Sequence, residues 1–190
     1  SATSPALQRL VPAPFRAQAD RSAATSALAR QERNAALASA RASVSGDPID
    51  PDATALLGSA LFTAGDASNA AKAFRIAARF GWRNAETQTY WYQAGLQNGD
   101  YQVAMDRADA LMRAHPQLID QVMLLKPLET DPAGQRILAD RLKQLPPWLP
   151  NYMQADDDTP KDVLDRRLVV LSDVNSTGFS LGCDVVAPLT

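Results

Sequence analysis

The fold class this chain predicts is all-α: a right-handed α-solenoid of about three helix–turn–helix repeats, followed by a divergent helix pair and a capping helix. Three observations carry that expectation. Gly65-Asp66 and Gly99-Asp100 recur 34 residues apart, and Pro48 and Pro116 stand at twice that spacing. Small residues fall at matching places within the period: Gly58, Ala70 and Ala77 in one copy and Ala104 in the next. A repeat of this length marks supersecondary units that bury their apolar faces only by stacking on neighbours.

The elements follow in chain order. Residues 1–16 read as an N-terminal extension. The first unit, 17–50, puts Ala36 and Ala40 at packing sites and ends at Pro48. The second, starting at 51, has Leu57-Gly58 at the small-residue site of its first helix and Ala70, Phe74 and Ala77 at the packing sites of its second. Small residues let two antiparallel helices approach, a large apolar residue plugs the space beside them, and proline stops the second helix. Between the helices, glycine takes positive φ at the end of one and aspartate caps the open amides of the next. The third unit, 85–118, keeps Ala104 and Pro116 but has Trp91-Tyr92 in place of Leu-Gly and Ala108 and Leu111 in place of Phe-Ala. Trp91 is therefore expected in the core, with Tyr90 or Tyr92 turned outward.

Residues 119–145 continue the helical period through Val122, Leu125 and Leu128, then Asp131-Pro132 as cap and first-turn proline, then Ile137, Leu138 and Leu142. The solenoid is thus expected to span 17–145. Pro146-Pro147-Trp148-Leu149-Pro150 ends it, and 146–158 reads as a proline-rich, acidic linker finishing at Asp156-Asp157-Asp158. Thr159-Pro160 and Asp162 start a capping helix over 159–173, with Val163, Leu164, Leu168 and Leu171 as its apolar stripe. In 174–190, Phe179, Leu181, Cys183 and Val185 alternate as a strand does, so this segment reads as a tail or as the start of a further domain.

Composition narrows the function classes. Nineteen basic residues against twenty-one acidic ones give a net charge of −2, which supplies no general attraction to nucleic acid or to an anionic membrane. No window reaches the about 18–20 unbroken apolar residues of a spanning helix, so direct membrane insertion is not expected. One cysteine, Cys183, permits neither an intrachain disulfide nor a cysteine-based zinc site. The chain opens at Ser1 rather than methionine, which raises the expectation of a processed protein or a piece of a longer one.

Chemistry-bearing clusters are few. The only histidine, His115, precedes Pro116 at a repeat boundary and reads as a helix C-terminal residue rather than a catalytic base. Asp156-Asp157-Asp158 lacks the spacing, glycine turn and bidentate acid of a calcium loop. Arg75, Arg79 and Arg83, with Arg107 and Arg113 in the next unit, form a basic stripe that reads as a solvated outer face. No glycine-rich phosphate loop or nucleophile–base pair is present, so the chain is not expected to be an enzyme or to hold a cofactor or metal.

Over residues 17–145 the repeat sites resemble those of the tetratricopeptide repeat family, most closely in the unit that starts at 51. The stretch from Asp131-Pro132 to Pro147-Trp148 also resembles proteobacterial repeat proteins that accompany cell-envelope or polysaccharide machinery. The family resemblance implies a non-catalytic scaffold that binds a protein or peptide partner in the concave groove lined by the first helix of each repeat. Carried over position by position, the groove residues are Gln18, Arg21, Thr25 and Leu28 in the first unit. The second supplies Asp52, Ala55, Ser59, Phe62 and Thr63, and the third Glu86, Thr89, Gln93, Leu96 and Gln97. This lining lacks the lysine and asparagine set with which chaperone-type members clamp a peptide carboxylate. The alternative is a structural module that packs on a further C-terminal domain or on itself as a homodimer. The compartment is left between bacterial cytoplasm and periplasm, and the narrower resemblance tilts it toward the envelope.

Overall fold

The structure is a computed structural model that describes residues 12, 15–115, 124–154 and 159–176. Expectations resting on Pro116, Val122, Asp156–Asp158, Phe179, Leu181, Cys183 and Val185 lie outside these residues. Among the described residues the chain is all-α, with ten helices and no strand: α1 Arg16–Ala29, α2 Arg33–Gly46, α3 Pro51–Thr63, α4 Ala67–Ala78, α5 Ala85–Gln97, α6 Tyr101–Ala114, α7 Lys126–Thr130, α8 Pro132–Leu142, α9 Leu149–Met153 and α10 Lys161–Ser176. None of these helices is long and apolar enough to cross a membrane. The chain divides into two compact units, residues 1–87 and 88–190, and the division falls within α5.

The 34-residue period reappears in the helix boundaries. The helices that open at Arg33, Ala67 and Tyr101 begin one period apart, as do those that open at Pro51 and Ala85. The turns repeat as well. Gly65 and Gly99 have φ of 88° and 69°, and Gln31, one period earlier, takes φ of 60°. Asp66 accepts the Asn69 amide at 3.1 Å and Asp100 the Val103 amide at 3.1 Å, so each caps the helix it precedes.

In the first unit, α1 packs on α2, α2 on α3, and α3 on α4. Its core is built mainly of alanine: Ala24, Ala27, Ala36, Ala40 and Ala60 surround Leu56, with Leu28, Leu37 and Leu57 packed beside them. Leu61, Ala70 and Ala73 extend it, joined through Leu37 and Leu57. Methyl-sized side chains bring helix axes close, and two glycines mark the tightest approaches. A Cβ on Gly58 would lie 2.9 Å from the Phe74 ring, and one on Gly46 would lie 2.9 Å from the Ala17 Cβ. The Ser43 hydroxyl also donates to the Ala17 carbonyl at 3.0 Å, tying the end of α2 to the start of α1.

The second unit has a heavier core. Tyr92, Met105, Met112, Leu125, Leu128, Leu138, Leu142, Trp148, Leu149, Tyr152, Met153, Val170 and Val174 are buried together. Two buried carboxylates organise it. Asp109 accepts from the Trp148 indole at 2.8 Å, from Arg113 at 2.8 Å and from Arg141 at 3.2 Å, while Arg141 also binds Asp106. Glu129 accepts from Arg166 at 3.2 Å and faces Arg167 at 3.9 Å. The Arg167 guanidinium lies 5.0 Å over the Tyr152 ring, and burial followed by the charge of Glu129 pushes the Tyr152 phenol well above its ordinary value.

Three expectations change here. Tyr92, not Trp91, enters the core: Tyr92 is 3% exposed and donates to the Leu124 carbonyl, while Trp91 is half-buried. The cause is a shift of the close helix contact by one turn. Gly95 lies over the α6 backbone, where a Cβ would meet the Ala104 nitrogen at 2.9 Å and the Asp100 oxygen at 3.0 Å, so the site at 92 is free to take a large ring. Within the stretch expected as a linker, residues 149–153 form α9, and Trp148 and Tyr152 are core residues. On α10, Val163 is buried and Leu171 packs on the core as expected, but Leu168 is exposed and the stripe continues instead through Val170 and Val174. The expectations for Asp131-Pro132 and for a helix after Thr159-Pro160 agree with α8 and α10. Asp131 caps α8 by accepting the Ala133 and Gly134 amides at 2.8 and 3.3 Å.

Candidate functional site

The first unit carries a pocket of about 380 Å³, opening between α1, α3 and the first turn of α5. Arg21, Ser22 and Thr25 supply one wall, Asp52 and Leu56 a second, and Asn84, Ala85 and Glu86 a third. Four of the positions that the family resemblance assigns to a groove, Arg21, Thr25, Asp52 and Glu86, meet in it.

Local sequence explains how each is held. Asp50 is the N-cap of α3, accepting the Asp52 amide at 2.9 Å through one carboxylate oxygen and Arg21 at 2.6 Å through the other. Asn84, one period later, plays the same part for α5: its side-chain oxygen accepts the Thr87 amide at 2.8 Å. Its amide nitrogen then donates to Asp52 at 2.9 Å, bridging the starts of α3 and α5. Arg21 reaches Asp52 at 3.4 Å and also binds Gln18.

The electrostatic balance of the pocket is negative. In the lining one guanidinium, Arg21, stands against two carboxylates, Asp52 and Glu86, and Arg21 is engaged by Asp52 and by Asp50 beside the pocket. Among the described residues Glu86 makes no ion pair; the Ser59 hydroxyl approaches it at 3.5 Å. Glu86 keeps contact with water, but the pocket walls withdraw its carboxyl from much of the solvent. This desolvation, followed by the charge of Asp52, holds it above the usual carboxylate range, against the opposing bond from Ser59. Such a site can hold a cation or a donor group.

The other groove positions fall differently. Phe62 is 60% exposed on α3, and Thr63 is exposed with its hydroxyl turned back to the Ser59 carbonyl at 2.9 Å. Ala55 is fully buried, because α3 is enclosed on most sides through Ala53, Thr54, Ala55 and Leu56, so it lines no groove. Leu28 is half-buried against the alanine core.

Thr89, Gln93 and Gln97 are exposed on the part of α5 that belongs to the second unit. Leu96 lines a separate pocket there of about 320 Å³, with Tyr101, Pro127, Thr130 and Asp131. A hydrogen bond from the Tyr101 phenol to Asp131 raises the former and lowers the latter from their ordinary values.

Sequence reasoning missed Ser22, Leu56, Asn84 and Ala85 as pocket residues, and Asp50 as the cap that engages Arg21. The available signal was the cap position itself, since Asp50 and Asn84 precede Pro51 and Ala85 by one residue and stand one period apart. Among the described residues no group of three His, Cys, Asp or Glu side chains is placed to hold a metal ion. Of the basic stripe, Arg75, Arg79 and Arg83 are exposed, whereas Arg107 donates to Gln88 at 3.1 Å and Arg113 is bound to Asp109. His115 is the C-cap of α6, its amide bonded to the Leu111 carbonyl at 2.8 Å. Comparison with family models, with curated proteins and with solved structures finds no match for this chain.

Proposed function

We propose that the chain is a tetratricopeptide-type α-solenoid acting as a non-catalytic scaffold, which holds a segment of a partner protein on the side lined by the first helices of its repeats. The observation that carries this reading is the convergence of Arg21, Thr25, Asp52 and Glu86 on one pocket, because the family resemblance assigns all four positions to the groove. The recurrence of left-handed turns at Gln31, Gly65 and Gly99 supports the repeat assignment. The mixed lining suits an extended or helical segment with an apolar anchor.

Affinity capture from the native extract tests it, with the wild-type chain beside a Phe62→Ala, Glu86→Arg, Gln93→Ala variant and mass-spectrometric readout. A protein retained by the wild type and lost by the equally folded variant is the expected result. Identical retention by both baits rejects the groove.

A second reading, self-association or packing on a further domain, is favoured by Leu168 and Val169, which are exposed side by side on α10. Light scattering of the wild type against Leu168→Ser separates a dimer from a monomer.

A further inference from the structure

One side of α3 carries Asp52, Leu56, Ser59 and Phe62 in steps of four, three and three residues; Asp52 and Phe62 are exposed, Ser59 is half-buried and Leu56 is buried where it lines the pocket. Its two ends differ in chemistry. Phe62 presents an exposed aromatic ring at one end, and the walled pocket with Asp52 and Glu86 lies at the other. Resting on the scaffold reading above, we propose that this face docks an extended partner segment whose lysine or arginine side chain enters the pocket against Glu86 while an apolar side chain lies on Phe62.

Charge complementarity selects the occupant. Arg21 is engaged by Asp50 at 2.6 Å, and one oxygen of Asp52 accepts from Asn84 at 2.9 Å, which leaves Glu86 with the Ser59 hydroxyl at 3.5 Å as its described partner. A cation completes this set; a carboxylate or phosphate on the partner would face excess negative charge. The Leu56 side chain and the Ala85 methyl give the aliphatic stem of a lysine or arginine an apolar wall while its head reaches Glu86. At about 380 Å³ the pocket stands near the small end of ligand sites, which fits one long side chain better than a cofactor.

The spacing is bounded as well. Ser59, whose hydroxyl approaches Glu86 at 3.5 Å, is three residues from Phe62 on α3 and Asp52 is ten, roughly 5 to 15 Å at 1.5 Å per residue. An extended chain covers that range in about one to five residues at roughly 3.3 Å each. The recognised pattern is therefore a basic residue and a large apolar residue separated by about that number of positions.

The test is selection of phage-displayed random dodecapeptides on the purified full chain, wild type and Glu86→Lys, followed by titration of the enriched peptides. The expected result is lysine or arginine at a fixed position within about five residues of an aromatic or large aliphatic one. Binding of these peptides should weaken about tenfold on Glu86→Gln, a variant whose circular dichroism matches wild type, and should fall with added salt. Glu86→Lys should enrich aspartate or glutamate at the same position.

Peptides enriched without a basic preference, or bound equally by Glu86→Gln, overturn the proposal and leave the scaffold reading standing. Failure of the wild type to enrich any peptide overturns both. Stabilisation by calcium chloride alone that disappears in Glu86→Gln reassigns the pocket to a metal ion and also overturns the proposal.

Discussion

Gln31 occupies a backbone conformation that the chain elsewhere gives to glycine. Its φ of 60° matches Gly65 and Gly99, which stand one and two periods further on. A side chain in the left-handed region crowds the following carbonyl, at a cost of about 1 kcal/mol that glycine avoids. The neighbouring cap is weaker too. Asp66 works as an anion, held below the usual carboxylate range by the Asn69 side chain and then by its backbone amide. Glu32, at the equivalent position, makes no capping bond; its carboxylate is drawn to Arg30 at 2.8 and 3.0 Å. Gln31→Gly is therefore expected to raise stability by about 0.5–1 kcal/mol, somewhat less than the full strain because glycine also loosens the unfolded chain. Gly65→Ala should lower stability by about 1 kcal/mol. Urea denaturation of both variants checks the pair, and an unchanged midpoint for Gln31→Gly would show that the first turn is not strained.

At the scale of helices, the decisive contacts are those where a glycine lets a neighbouring helix come close. Gly58 faces the ring of Phe74, which is buried and can yield only by disturbing its neighbours, whereas Gly95 faces the backbone of Ala104 and Asp100, which cannot yield without moving α6. Overpacking costs about 1–3 kcal/mol where side chains can adjust. Gly58→Ala is expected to fall in that range and Gly95→Ala to exceed it, as read from thermal or urea unfolding; a larger loss at Gly58 would place the tighter crossing there.

The same contacts explain what could be read in advance. Helix starts, turn glycines and capping aspartates were legible because each is a local device repeated at a fixed spacing. The exchange of Trp91 for Tyr92 was not, since it depends on the crossing point sliding from 92 to Gly95, a property of two helices together. The burial of Trp148 and Tyr152 was hidden for a similar reason. A run of prolines predicts the end of a helix, yet says nothing of the Asp109 carboxylate that receives the Trp148 indole. Asp52 and Glu86 were singled out by the family resemblance, but Asn84, which bridges the two helix starts, looks in sequence like an ordinary cap.

For the molecule as a whole, the two units are built from different materials, and this sets their resistance to opening. Buried residues in the first unit are mostly alanines, with Leu56, Leu61 and Phe74 among them, while the second buries Trp148, Tyr92, Tyr152, three methionines and several leucines. Each buried methyl or methylene contributes about 0.8 kcal/mol and a whole leucine or methionine side chain about 1.5–3 kcal/mol, so the alanine core gains much less from water exclusion. The second unit also has Asp109, 7% exposed, fastened by Trp148, Arg113 and Arg141. Elements with few large apolar contacts open first and exchange their amides first. Hydrogen exchange read by mass spectrometry is accordingly expected to show faster exchange in α1–α4 than in α6 and α8. Asp109→Ala should lower protection in α6 and α8 by about 1–3 kcal/mol, because it leaves the buried Trp148 indole without its acceptor and takes one of two carboxylate partners from the half-buried Arg141. Equal protection across both units would mean that close helix approach in the alanine core compensates for its small side chains. A pocket in the more readily opened unit would then lose its main physical reason for adapting to a partner segment.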